Sequence, residues 1–165
     1  MSARELEVGL ASLSFARRMT LKLLDGTPED HWFHIPIPSG NHAAWIAGHV
    51  AWEDDDLLKS LVKERGSKLP QAWHDGFGQG SVPAPNPADY PSITELHETL
   101  ASCREDLIDF FISSVDQLRD PLPEKWHTFA KDLSSMMHGV SAHEMLHAGQ
   151  LTVIRKSLKL DPIFG

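Results

Sequence analysis

The sequence predicts an all-α protein, a four-helix bundle with long crossover connections. Three observations predict it. Apolar residues recur three and four apart over four long stretches, the spacing of a helix with one buried face. No stretch alternates apolar and polar residues as a half-buried strand does. Connectors rich in Gly and Pro separate the stretches, and two of them are long enough to serve as crossovers. The 165 residues suit one domain, 1–165, large enough to bury its own core without a disulfide or a structural metal.

The first helix is expected from about Ala3 to Leu24, with Leu6, Leu10, Leu13, the Arg17 stem, Thr20 and Leu24 on one side; Asp25-Gly26-Thr27-Pro28 ends it. A connector follows over 25–41. The second helix runs from about Asn41, as N-cap, to Glu64, with Gly66 as its stop. Its inner stripe holds Trp45 or Ile46, His49, Glu53 or Trp52, Asp56 or Leu57, and Leu61. Residues 66–91 carry Gly and Pro without periodicity and read as a long loop, either an ordered crossover or a lid; Trp73, His74 and Phe77 suggest that it packs on something. The third helix is the most regular: Ile93, Leu96, Leu100, Cys103, Leu107, Phe110 and Ser114 form a bundle seam, and Cys103 there acts as a small apolar residue. The fourth runs from about Asp132 to Leu158 on a stripe of Met136, Val140, His143, His147, Leu151, Ile154 and Leu158.

Composition excludes some functions. A net charge of -8 with scattered basic residues argues against nucleic acid as a partner, because phosphates need a basic face. No apolar run approaches a membrane span. The stretch Met1–Glu7 places acidic residues where a secretory leader has an apolar core, and a lone cysteine forms no intramolecular disulfide; both point to a cytoplasmic protein.

Ten histidines in one chain are the unusual feature. His143 and His147 lie four apart, one above the other on a helix face. In a histidine-rich chain that spacing alone is weak. Its weight comes from position, because both take seam places where Leu or Ile belongs, and buried imidazoles must satisfy two nitrogens each. His49 repeats the pattern on the second helix. Three imidazoles with open positions suit Zn, Ni, Fe or Mn better than Mg or Ca. The segment His143-Glu144-Met145-Leu146-His147 also matches the zinc-protease H-E-x-x-H spacing. The extended form of that motif needs Gly and His where the chain has Gln150 and Val153, no later glutamate can act as ligand, and no strand precedes the helix. A di-iron site would need a second copy of Glu144-x-x-His147, which is missing.

Ile46-Ala47-Gly48-His49-Val50-Ala51-Trp52, together with His143-Glu144-Met145-Leu146-His147-Ala148-Gly149-Gln150-Leu151 and Ile154-Arg155, resembles the DinB/YfiT-like family of metalloenzymes over nearly the whole chain. The resemblance implies a four-helix bundle, often a homodimer. It implies one divalent transition metal, nickel or zinc most often, on residues matching His49, His143 and His147. Relatives include S-transferases that use a low-molecular-weight thiol and a mycothiol-dependent isomerase.

Two carboxylates are candidate catalytic groups, Glu53 one turn after His49, and Glu144 within the two-histidine segment, where a modest role is expected. Trp45 and Trp52 flank His49, Gln150 could bond a ligand or fill an interhelical gap, and His42 and His138 are candidates to support the ligands. The leading expectation is a metal-dependent enzyme acting on a small molecule, a cellular-thiol transferase or a hydrolase. The alternative is a non-catalytic, dimeric metal-binding or stress protein.

Overall fold

The structure, a computed structural model, describes residues 2–164. It is all-helical: α1 (Ser2–Asp25), α2 (Ala43–Leu61), α3 (Gln71–Phe77), α4 (Ile93–Ser113) and α5 (Leu133–Ser157), with short 3-10 turns between them. Among the described residues there is no strand, only an isolated bridge between Pro121 and Asp132. No helix among them is long and apolar enough to cross a membrane.

α1 packs chiefly on α5 and α2 chiefly on α4; contacts between α2 and α5 and between α1 and α4 close the bundle. Two apolar clusters fill it. One gathers Leu24, Trp32, Ile46, Trp73, Phe77, Leu100 and Leu151. The other gathers Leu13, Leu57, Leu107, Phe111, Met136 and Met137. Along the chain, α1 and α5 pass from the second cluster to the first, whereas α2 and α4 pass from the first to the second. α2 and α4 are therefore parallel neighbours, and a chain leaving one must travel the length of the bundle to enter the other. The stretch 62–92 is that return path.

The path is not the structureless loop that its Gly and Pro content predicts. It contains α3, whose Trp73 and Phe77 are buried. The Phe77 ring lies against the backbone of Gly48, where a Cβ would overlap it. Seven residues are too few for helical periodicity to register in the sequence, but enough to set one aromatic pair into a groove.

Helix ends follow local chemistry. α2 begins at Ala43 with His42, not Asn41, as its cap: the Trp45 N–H donates to His42 Nδ1 at 3.0 Å. Asp132 and Ser135 form a reciprocal cap at the start of α5, and Ser92 caps α4. α2 stops at Leu61, and Glu64, at φ 69°, turns the chain before Gly66 is reached.

Candidate metal centre

The capping histidine also fixes the crossover. With Nδ1 accepting from Trp45, the hydrogen of the neutral His42 ring sits on Nε2, which donates to the Ala84 carbonyl at 3.0 Å. Burial pulls the His42 pKa down to about 4, which keeps the ring neutral. Two turns further along α2 lies His49, then Glu53 one turn later. α5 supplies His143 and His147 from the facing helix.

The structure brings these four together: one ligand atom from each of His49, Glu53, His143 and His147 lies within 4.8 Å of the others. His49 Nδ1 is 2.7 Å from the Phe77 carbonyl, which can only accept, so Nδ1 carries the hydrogen and Nε2 is bare. That Nε2 lies 3.6 Å from Glu53 Oε1. His147 Nδ1 donates to Gln150 Oε1 at 3.1 Å, and the same oxygen accepts from Asn41 Nδ2 at 3.0 Å. This leaves Nε2 of His147 bare as well. His143 Nδ1 is 2.5 Å from Glu53 Oε2, so one carboxylate joins both helices.

The electrostatics divide the three rings. Burial, then the neighbouring His49 and His143, lower the His147 pKa to about 4. Burial lowers His49 too, partly offset by Glu53. His143 is raised, above all by its hydrogen bond to Glu53. Two neutral imidazoles and one imidazole–carboxylate pair therefore converge near neutral pH. Trp45 and Trp52 stack on the two sides of His49, with ring centroids at 4.5 and 5.7 Å. Both indole N–H groups are tied to the crossover, Trp45 to Ser81 and Trp52 to His74.

A cleft of about 380 Å³ opens on the group, a volume within the usual range for small-ligand pockets. His49, Glu53 and His143 line it, together with Lys125, Trp126 and Phe129 from the connector between α4 and α5. A larger, shallower groove of about 610 Å³ runs along α1 and α5 past Val8, Phe15 and His138, and none of the four clustered residues lines it. His138 lines that groove and not the cleft beside the four residues.

Glu144 does not join the cluster. Its Oε1 accepts from Arg17 Nε at 2.7 Å and its Oε2 from Arg104 Nη2 at 2.8 Å. Arg104 also grips Asp54 at 2.8 and 3.0 Å, and Arg17 reaches Asp54 at 3.1 Å and the Leu100 carbonyl at 2.5 Å. With both oxygens committed to arginines, Glu144 is not placed as the acid–base group of the H-E-x-x-H reading. The sequence reading missed this buried network of four charges. Its signal was present: Arg17 sits on the apolar stripe of α1, and Arg104 follows Cys103 on the seam of α4.

A family profile described as the DinB superfamily matches residues 12–151. The chain is 32% identical over 80 residues to a protein described as uncharacterised, YizA of Bacillus subtilis (strain 168). That match covers 46% of this chain and 49% of the relative, so it spans about half of each. No solved structure gives a significant match.

Proposed function

The chain belongs to the DinB superfamily, and from that premise we propose a metal-dependent enzyme that transfers a cellular thiol to, or hydrolyses, a small molecule. His49, His143 and His147 hold one divalent transition metal, nickel or zinc before iron or manganese, and Glu53 stands beside it as a base. The observation that carries the reading is the joint one: four donor atoms within 4.8 Å of each other, at the edge of an open cleft.

The donor set fits such an ion. Two rings have their outer nitrogens occupied by hydrogen-bond acceptors and their inner nitrogens bare, the usual arrangement around a metal-binding histidine. If His143 binds through Nδ1, the proton held between it and Glu53 must leave; if it binds through Nε2, that proton stays and Glu53 orients the ring. Bound there, the metal would supply Lewis acidity, polarising a substrate atom or lowering the pKa of a coordinated thiol or water. The chain's own part is to orient the rings, with Trp45 and Trp52 stacked on His49, and to offer the Glu53 carboxylate for a proton.

The non-catalytic reading predicts a closed shell; the open cleft beside the cluster favours the enzyme. Exposed Val8 and Phe15 on α1 and Leu146 and Val153 on α5 support a homodimer through the outer faces of those helices, which light scattering tests. The deciding experiment is metal analysis of the purified protein with titration of Zn and Ni, followed by thiol-transfer assays on several cellular thiols. One tightly bound equivalent, lost in His49→Ala, is the expected result; full occupancy and unchanged affinity in that variant reject the site.

A further inference from the structure

We infer that the cleft takes a small molecule with an apolar body and an anionic group, and that Lys125 reads the anion. The inference rests on the cleft that serves the proposed function and names its substrate class, but it draws on groups outside the metal cluster.

Charge pairing around the cleft is lopsided. Three carboxylates line it, and each already has a basic partner. Glu53 is paired with His143. Asp54 is held by Arg17 and Arg104. Asp56 lies 4.0 Å from Lys59. Lys125 is the one lysine or arginine among these lining residues, and among the described residues it forms no ion pair. Its ammonium lies 5.5 Å over the ring of Trp126, which also lines the cleft. The recognition capacity left unused is therefore positive.

The rest of the wall specifies the body. Trp52, Trp126 and Phe129 present aromatic surface, and the Phe129 ring is seated on Gly139 of α5, where a Cβ would lie 2.6 Å from it. That seat fixes part of the connector against the bundle. A ligand of fewer than about twenty non-hydrogen atoms fits a volume of this order. One that lays its apolar part on these rings and its anion on Lys125 would bring its remaining end to the histidine side.

Three isosteric probes test this: 3-phenylpropionate, 3-phenylpropionamide and 3-phenylpropylamine, each titrated while tryptophan fluorescence is followed. The measurement is made first on metal-free protein, because a carboxylate would also bind a metal. The acid should bind at least about tenfold more tightly than the amide, and the amine weakest. Lys125→Gln should abolish the preference for the acid, Lys125→Arg should keep it, and Lys125→Glu should turn it toward the amine. Lys125 is exposed, so unchanged circular dichroism is expected for all three variants. Equal binding of acid and amide, an acid preference that survives Lys125→Gln, or no saturable binding of any probe at millimolar concentration would each overturn the inference. Repeating the titration on His147→Ala separates the two claims: a Lys125-dependent preference that persists in a chain unable to bind metal stands even if the metal-centre proposal fails.

Discussion

Two groups of buried polar side chains sit next to one another in this bundle, built from adjacent residues of the same helices. Glu53 and Asp54 are neighbours on α2, and His143 and Glu144 are neighbours on α5, yet each pair is split between the two groups. Arg17, Asp54, Arg104 and Glu144 form a closed group that draws one residue from each of the four long helices. Its carboxylates are 2% and 1% exposed, and it lies between the two apolar clusters. His49, Glu53, His143 and His147 form an open group on two helices, with a cleft on one side. The closed group pairs its own charges, with Arg104 Nη1 buried and without a hydrogen-bond partner. The open group has two bare ring nitrogens and needs something from outside. The difference teaches that burial of polar residues does not by itself mark function: donor atoms left free beside an open cleft do.

The largest expected effect would break the closed group. Arg104→Met leaves Asp54 and Glu144 buried with Arg17 alone, and losing one partner of a buried ionic network costs about 3–5 kcal/mol. Urea denaturation should show a loss of that order or outright unfolding. A loss below about 1 kcal/mol would mean that the network is not structural. Glu144→Gln should likewise read out first as stability; full stability and metal content with abolished activity would restore Glu144 to the chemistry.

Acid probes the open group together with the His42 cap. Both His42 and His147 have folded-state pKa values near 4, below the ordinary 6.5. The unfolded chain therefore takes up these protons first. Stability should be full above about pH 6.5 and fall as pH drops toward 4, by about 3 kcal/mol for each of the two rings in the metal-free protein. A flat stability profile over that window would contradict the assignment of neutral, buried rings.

A ligand substitution sharpens the contrast. His147→Ala should weaken Zn or Ni binding by at least about 100-fold while leaving metal-free stability within about 1 kcal/mol of the parent, by isothermal titration and urea denaturation. A collapse in stability instead would make the open group structural like its neighbour. The smallest effect is expected one bond further out. Gln150→Ala removes the acceptor that holds the hydrogen on His147 Nδ1, and metal affinity should fall about tenfold. Nitrogen-15 NMR of the His147 ring should show loss of the single tautomer.

The two groups were unequally legible in the sequence. The histidines stood out because they replace Leu or Ile on otherwise apolar stripes, and a stripe is a local pattern. Glu53 was only half visible, since an acidic run from Glu53 to Asp56 reads equally well as a solvated face. In the structure Asp54 and Asp55 within that run are buried, Asp55 under Arg65, Ser67 and the Lys68 amide. What satisfies them comes from elsewhere in the chain, and the partners of Asp54 lie 37 and 50 residues away. Local periodicity carries no information on such pairings. The same limit hid α3, whose role is defined by contacts with Gly48 and His49 rather than by its own seven residues. The four long helices, by contrast, were readable nearly to their ends, because periodicity and capping residues are both local.

The split of neighbouring residues between the two groups also bears on how the chain can change length. Each residue advances an α-helix by about 100°. Inserting or deleting one residue within α5 before His143 would rotate Glu144 toward the cleft or His143 toward the arginines, and so spoil both groups at once. The same holds within α2 before Glu53. The stretches 26–42, 62–92 and 114–132 lie between the long helices and carry no such phase outside α3, whose Phe77 is set against Gly48 and His49. Length variation in this protein should therefore be confined to the connectors, with α2 and α5 behaving as a fixed reading frame for two chemistries.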